Sequence, residues 1–352
     1  MQEQEGSIAM SRQTPPLRLK MGFWVLLGML STAFAEVVAG ATKFPFFEPW
    51  GILVVTPLYS LHILVLATIL VRYRRLSWPG LLFAGALFGL YEGYLTKVLW
   101  YPEWAQNLAV AGEVRWLHVV LLVLWWHPLL AFIIPLLIGE TTLTRSRSVL
   151  GTFSPKWRAR LTGHTGRYAL ILALVCGMLA SGNALLGLTA LWSPLANGLF
   201  LLAVIALWRR TRGPQYTLAE LLPGRTAFAV LVVALVGMYI VLGTYLLPDR
   251  LPGVMGHLLV LGLYAVFVYL LVRVPAATLS DDTEATVVSW RWLAMFVAVF
   301  SVTTLVVKVI LGPMSIATLF PNWIAACTVG VFIYAMAAWR TLYATPTSRD
   351  LA

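Results

Sequence analysis

Long apolar runs separated by short polar segments make up most of the chain. A helix needs about 20 apolar residues to cross a bilayer core of about 30 Å. Ten runs reach about that length, and they are continuous rather than alternating, which favours helices over the strands of a barrel. We therefore predict an all-α polytopic transmembrane bundle with about ten spans. The predicted spans are 21–41, 51–71, 80–100, 117–138, 168–188, 190–208, 226–247, 253–273, 292–312 and 315–339.

The composition agrees with this pattern and excludes a soluble globular domain. Of the 352 residues, 60% are hydrophobic and 11% are charged, whereas a soluble domain carries roughly 25% charged residues. A soluble domain needs a polar exterior, because much of its chain stays at the surface. Lipid removes that requirement. The chain is therefore expected to reside in a membrane, and we assign it to the cell membrane.

The basic residues predict the orientation of the spans. Of the 25 lysines and arginines, 20 fall in segments that are cytoplasmic if the N-terminus is inside. Basic residues concentrate in short cytoplasmic loops, so this bias favours ten spans with both ends inside. The net charge of +11 would suggest nucleic acid in a soluble protein. Here the basic loops predict contact with anionic lipid, and no nucleic acid partner is expected.

The spans divide the chain at one long basic loop. We predict an N-terminal tail at 1–20, a four-span bundle at 21–138, a basic cytoplasmic loop at 139–167, a six-span bundle at 168–339 and a tail at 340–352. A solvated linker at 274–291 carries Asp281, Asp282 and Glu284.

The first span has an alternative interpretation as a signal peptide. Arg18 and Lys20 precede an apolar run that ends in Ala33-Phe34-Ala35, which resembles a small-residue cleavage site. Cleavage would leave nine spans and an external N-terminus. The apolar run continues past Glu36 through Val37 and Val38, which favours an uncleaved span.

Ionisable residues inside spans are costly, so each needs a partner, a water-filled cavity or a function. The predicted topology places eight such groups in the outer half of the membrane or near its middle, and this predicts a polar cavity open to the outside. They are Glu36, His62, Glu92, Lys97, His118, His127, His257 and Lys308. Glu140 closes the fourth span at the inner surface, where solvation is cheap, and is expected to anchor the loop that follows.

Three of these groups are the candidate functional residues. Glu92 lies beside a stripe of glycines at positions 85, 89 and 93, which allows close helix approach and turns the carboxylate into the bundle. It is a candidate proton acceptor, metal ligand or catalytic carboxylate, or else a structural ion pair with a lysine or histidine. His127 precedes Pro128, which weakens the local helical hydrogen bonding. Glu36 is the third candidate.

Common catalytic motifs do not occur in the sequence. We find no HExxH, Walker A, GxSxG or GxGxxG motif in a suitable context. Cys176 and Cys327 have no CxxC spacing and no nearby ligand cluster. We predict no metal site, and the sequence leaves any cofactor undetermined.

Several short segments carry a family resemblance. They are Ala35-Glu36-Val37-Val38, Phe88-Gly89-Leu90-Tyr91-Glu92-Gly93, Pro102-Glu103-Trp104, and His127 with Pro135 and Glu140. In these segments the first four spans resemble a group of uncharacterised prokaryotic multi-pass membrane proteins, and this resemblance implies no known activity.

Glu92 and His127 also give the chain a fainter likeness to the glutamate-dependent intramembrane proteases related to CAAX-processing enzymes. That likeness implies a catalytic Glu92 with His127 as its partner. The chain departs from the protease pattern because Tyr91 replaces one of the paired glutamates and no arginine follows in that span.

Three functions follow from these observations. The first is a small-solute transporter in which Glu92 couples a proton or cation. The second is an intramembrane enzyme, protease-like or lipid-modifying, that uses Glu92, His127 and Glu36 as acid–base groups. The third is a structural or accessory subunit of a membrane complex. Convergence of the three side chains around a cavity favours an enzyme, whereas their spread along a tunnel favours transport.

Overall fold

The computed structural model describes residues 14–100, 110–277 and 287–343, and within these ranges the chain is almost entirely helical. The helices, in chain order, are α1 (Leu17–Val37), α2 (Gly51–Arg72), α3 (Trp78–Leu95), α4 (Trp116–Leu143), α5 (Pro155–Gly163), α6 (Thr165–Asn183), α7 (Thr189–Arg209), α8 (Arg225–Tyr245), α9 (Val254–Arg273), α10 (Trp290–Leu311) and α11 (Val331–Tyr343).

Short elements join these helices. A two-stranded antiparallel hairpin, β1 (Val110–Ala111) and β2 (Val114–Arg115), precedes α4. Other connections are made by 3-10 segments, the longest of which is Gly312–Leu319, and by a short helix at Leu218–Leu221. A helix at Phe320–Ala325 and a π-helical segment at Ala326–Gly330 lead directly into α11. The motif Pro102-Glu103-Trp104, the linker residues Asp281, Asp282 and Glu284, and most of both predicted tails lie outside the described residues.

All ten predicted runs are helical, which confirms the all-α polytopic fold. Eight helices among the described residues are long and apolar enough to cross a membrane. The last of these, Trp290–Tyr343, covers the ninth and tenth predicted runs in one nearly continuous helical segment. The third predicted run corresponds to helix α3, which is 18 residues long.

The predicted end of the third span was wrong by several residues. The prediction ran to residue 100 and placed Lys97 inside the span, but α3 ends at Leu95. Lys97 has a left-handed backbone with φ of 63°, which an α-helix does not accept. Its ammonium group therefore lies beyond the end of the helix, where it donates a 2.6 Å hydrogen bond to the Gly243 carbonyl.

Helix α3 lies at the centre of the bundle, and its glycines set its distance from α4. A Cβ atom added to Gly85 would lie 2.5 Å from the Pro128 Cα, and one added to Gly89 would lie 2.8 Å from the Val123 Cα. Only a residue without a side chain fits such an approach. Gly85 and Gly89 therefore form the α3–α4 contact, which is the close helix approach that the sequence predicted, whereas Gly93 faces Leu99.

The later helices pack around the first four. Helices α9 and α11 pack against α3, α8 packs against α2, and α7 and α10 close the side next to α1. The outward faces are apolar: Val233 on α8, for example, is 71% exposed. Exposed apolar faces of this extent are expected where lipid is the solvent.

Several helices contain π-helical segments, which add one residue to a helical turn. In α1 the segment is Ala33–Val37, and in α4 it is Val119–Ile133. Glu36 and His127 lie within these two segments. Segments of this kind often occur at functional sites, because the extra residue displaces a side chain from its regular position.

Candidate functional site

Glu92 and His127 form a buried pair between α3 and α4. The His127 Nε2 lies 3.0 Å from the Glu92 Oε2. His127 is 2% exposed and Glu92 is 8% exposed. The glycines of α3 bring the two helices close enough for this contact. Among the partners predicted for Glu92, the structure selects a histidine rather than a lysine.

The backbone of α4 orients the His127 ring. The Nδ1 atom lies 3.0 Å from the Leu122 carbonyl oxygen, five residues earlier in the chain. That carbonyl can only accept a hydrogen bond, so the Nδ1 carries a proton. The Nε2 faces Glu92. It either accepts a hydrogen bond from the protonated carboxylic acid, or carries a proton itself and donates a hydrogen bond to the carboxylate. Either arrangement permits proton transfer within the pair.

Glu36 reaches this pair through Tyr59. The Tyr59 hydroxyl donates a 2.7 Å hydrogen bond to the Glu36 Oε1, and the Thr42 hydroxyl donates one of 2.6 Å to the Oε2. The Tyr59 ring is stacked on the His127 ring at a centroid distance of 6.5 Å. Glu36 also lies close enough to Glu92 and His127 for their charges to interact.

These four residues, Glu36, Tyr59, Glu92 and His127, form what we call the acid–base cluster. They come from four helices, α1 to α4, and meet inside the first four spans. The three candidate residues from the sequence are thus brought into one cluster. Tyr59 and Thr42 were missed, because a tyrosine or threonine in or beside an apolar run carries no signal of its own.

The other predicted intramembrane groups do not join the cluster. Lys97 donates to Gly243, Lys308 donates to the Ser315 hydroxyl at 2.9 Å, and the His257 Nδ1 lies 3.3 Å from the Tyr94 hydroxyl. The His118 ring packs edge-on against Trp323. The structure therefore distributes these groups over separate contacts rather than around one shared outer cavity.

His62 lies next to the cluster but is not hydrogen-bonded to it. Its ring is stacked on Phe88 at 4.5 Å, and its Nδ1 contacts the Leu58 carbonyl at 2.7 Å. The Nε2 has no hydrogen-bond partner among the described residues. Within those residues, no three histidine, cysteine, aspartate or glutamate side chains converge in a way that could hold a metal ion.

Glu140 anchors the loop after α4, as predicted, but the expectation that it is solvated was wrong. It is 0% exposed, because the loop folds back over the end of α4. The carboxylate accepts hydrogen bonds from the backbone N–H groups of Val149 at 3.0 Å and Leu150 at 3.2 Å, and from the Ser146 hydroxyl at 3.3 Å. Burial lowers the pKa of the nearby Arg147 guanidinium, and the Glu140 charge opposes that shift.

A cavity of about 560 Å³ lies on the other side of α1. We call it the apolar cavity. It is lined by α1, α4, α6, α7 and α10, and at one end by the loop after α4 together with α5. Ala33, Phe34 and Val37, from the same π-helical turn as Glu36, form part of its wall. This turn therefore lies between the acid–base cluster and the apolar cavity.

The fold and the buried cluster define a polytopic all-α membrane protein with ionisable groups inside the bundle. Residues 25–348 match the model of a family described as an uncharacterized membrane protein family, and the chain belongs to that family. An uncharacterized protein of Archaeoglobus fulgidus is 30% identical over 274 residues, which cover 76% of this chain and 82% of that protein. No solved structure matches the chain.

These matches confirm the resemblance to uncharacterised prokaryotic multi-pass proteins and extend it beyond the first four spans. They give no support to the likeness to CAAX-type glutamate proteases. That likeness would also need a second glutamate at position 91, where Tyr91 instead donates a hydrogen bond to the Leu235 carbonyl.

Proposed function

We propose that the protein is a membrane transporter that moves a small solute together with a proton, and that the Glu92–His127 pair is its proton-coupling group. The observation that carries this proposal is the 3.0 Å contact between the His127 Nε2 and the Glu92 Oε2 in the interior of the bundle. Ionisable groups inside a membrane bundle are rare and costly, and they mark proton and substrate pathways in many membrane proteins.

The charge balance of the acid–base cluster supports a bound proton. With both carboxylates ionised and the imidazole protonated, the cluster carries one uncompensated negative charge. An unbalanced charge is costly away from water, and one further proton neutralises it. Both buried lysines are engaged elsewhere, by Gly243 and Ser315. Groups this close take up and release protons as a unit.

The location of Glu36 supports coupling to a solute. Phe34 and Val37 line the apolar cavity, and Glu36 on the same π-helical turn accepts the Tyr59 hydrogen bond. A solute that displaces this turn would change the distance of Glu36 from the other carboxylate. The apolar lining favours a solute with a hydrophobic part. The proposal places this transporter in the cell membrane, with both chain ends in the cytoplasm.

The test is proton flux in proteoliposomes loaded with a pH-sensitive dye and driven by a potassium diffusion potential. We expect the wild type to take up protons faster than protein-free vesicles and Glu92→Gln to abolish the difference. Glu48→Gln is the matched control, because Glu48 is exposed and lies outside the cluster. A folded Glu92→Gln protein with unchanged flux, or a wild type no faster than empty vesicles, would contradict the proposal.

An intramembrane enzyme is the second candidate, and the convergence of the cluster favours it. One site contains a carboxylate, an imidazole oriented by the Leu122 carbonyl and a tyrosine hydroxyl. General acid–base catalysis uses groups of these kinds. The same variants separate the two functions. Product formation from membrane lipids or a membrane-embedded peptide that is lost in Glu92→Gln, without any proton flux in the wild type, would support the enzyme.

A further inference from the structure

The apolar cavity has the size and shape of a ligand site. Its volume of about 560 Å³ falls in the range of roughly 300–1,000 Å³ that is typical of small-molecule sites. Along α7 its lining extends from Pro194 to Ile205, which at 1.5 Å per residue is about 16 Å. The cavity is therefore elongated along the helices, as a hydrocarbon chain would require.

The polarity of the cavity changes from one end to the other. Most of the wall is aliphatic or aromatic. Polar side chains lie together at one end, where three segments meet: the loop after α4, helix α5 and the start of α6. These side chains are Thr141, Thr142, Arg147, Thr162, Thr165 and Tyr168. An amphiphile with a polar head and an apolar tail fits this gradient, whereas a uniformly polar solute does not.

The surface around the polar end is strongly basic. The segment 144–167 contains six lysines and arginines and no acidic residue. On α5, Arg158 lies one helical turn before Leu161 and Thr162, which line the cavity. Trp157 on the same helix is 49% exposed. A short helix with basic residues and an exposed tryptophan is typical of the headgroup layer, where it attracts anionic lipid.

Two buried polar atoms in the cavity wall have no partner among the described residues. They are the Thr142 Oγ1, in a residue that is 0% exposed, and the Asn197 Oδ1, in one that is 2% exposed. Buried polar atoms are nearly always hydrogen-bonded. The Asn197 Nδ2 already donates to the Lys43 and Ser193 carbonyls, both at 2.7 Å. These two hydrogen bonds fix the orientation of the whole amide group, including its Oδ1.

We propose that the apolar cavity binds one hydrocarbon chain of an anionic phospholipid from the leaflet next to α5. The lipid headgroup lies against Arg158, and the Thr142 hydroxyl donates to one of its oxygens. A hydrocarbon tail offers no hydrogen-bond donor to the Asn197 Oδ1, so the lipid tail ends before it reaches Asn197. This site stands on the cavity alone and does not depend on proton coupling at the acid–base cluster; a bound lipid would be the occupant with a hydrophobic part that such coupling requires.

A segment of the same chain is a poorer occupant. Residues 278–286 follow α9 and carry Asp281, Asp282 and Glu284, with Leu279 as their one large apolar residue. Such a segment complements the basic surface but not an apolar cavity. It would compete with the headgroup rather than with the hydrocarbon chain.

The test is lipid retention by the purified full-length protein, measured by native mass spectrometry after equilibration with equal amounts of phosphatidylglycerol and phosphatidylcholine. We expect the wild type to retain phosphatidylglycerol preferentially. Thr142→Val should weaken that retention by roughly tenfold to a hundredfold, as expected for loss of one hydrogen bond to a charged group. It should leave the fold intact, because the Thr142 hydroxyl has no partner among the described residues.

The matched control is Thr141→Val in the adjacent residue. Its hydroxyl also lies at the cavity, but it is hydrogen-bonded to the Leu137 carbonyl at 2.8 Å, so the substitution should not change retention. A second pair tests the headgroup: Arg158→Gln should reduce the preference for phosphatidylglycerol, whereas Arg160→Gln, on the exposed side of α5, should not. Equal retention of both lipids by the wild type would overturn the proposal, as would equal effects of the two threonine substitutions.

A variant that fills the cavity gives an independent measurement. Ala169→Phe places a ring in the apolar part of the cavity, where Ala169 forms the wall, and should reduce lipid retention. Ala203→Phe on α7 is the control, because Ala203 is exposed and lies outside the cavity lining. If both variants fold and retain lipid equally, the hydrocarbon chain does not occupy this cavity.

Discussion

Replacing Glu140 with alanine tests how the loop after α4 is held. In the structure the carboxylate is fully buried and accepts hydrogen bonds from the Val149 and Leu150 backbone N–H groups. Glu140→Ala leaves both groups buried without a partner. The Ser146 hydroxyl is less affected, because it also contacts the Thr144 hydroxyl at 3.1 Å.

The magnitude follows from these two groups. Each buried donor without a partner costs about 1–3 kcal/mol, so Glu140→Ala should lower the free energy of unfolding by about 2–6 kcal/mol. Glu140→Gln keeps one acceptor oxygen, which at the Oε2 position still accepts from both the Val149 and the Leu150 N–H groups. It should therefore cost clearly less than Glu140→Ala. Charge loss alone would instead make the two variants equivalent.

Two measurements check this expectation. The free energy of unfolding in mixed micelles gives the total cost, and limited trypsin digestion reports on the loop, which offers Arg145 and Arg147 as cleavage sites. Both arginines should become susceptible in Glu140→Ala. If Glu140→Ala unfolds within about 0.5 kcal/mol of the wild type, the size of effect usual for a surface substitution, the loop does not depend on this carboxylate and the reasoning fails.

Three further outcomes are expected. Gly85→Leu should destabilise the bundle by about 1–3 kcal/mol through overpacking against α4, whereas Gly262→Leu, with open space around it, should not; thermal unfolding distinguishes them. Tyr59→Phe should cost about 1.5–3 kcal/mol, the value for a hydrogen bond to a charged group, and a double-mutant cycle with Glu36→Gln should show coupling. Lys308→Met should be neutral or stabilising in the same assay, because it removes a buried charge.

The helices could be predicted from the sequence because the bilayer imposes a length on every apolar run. Helix ends were less predictable. Lys97 was placed inside a span, since hydropathy does not register a single left-handed residue. The burial of Glu140 was also missed, because it depends on a loop that folds back from nine residues further along the chain.

The candidate site was predictable in its members but not in its connections. Glu36, Glu92 and His127 stand out as charged or titratable groups in apolar runs. Which group pairs with which depends on the rotation and register of four helices, and π-helical segments shift that register without a sequence signature. Tyr59 joins the cluster for the same geometric reason. The apolar cavity depends on packing among helices that are distant in sequence.

The π-helical turn in α1 allows this helix to face both the acid–base cluster and the apolar cavity, because the turn contains one extra residue. A π turn holds one residue more than an α turn, so it acts as a one-residue insertion within Ala33–Val37. If the same residues wound as a regular helix instead, the part of α1 after the turn would be rotated by about 100° from its present orientation. The side chains that now face the acid–base cluster and the apolar cavity would no longer face both at once.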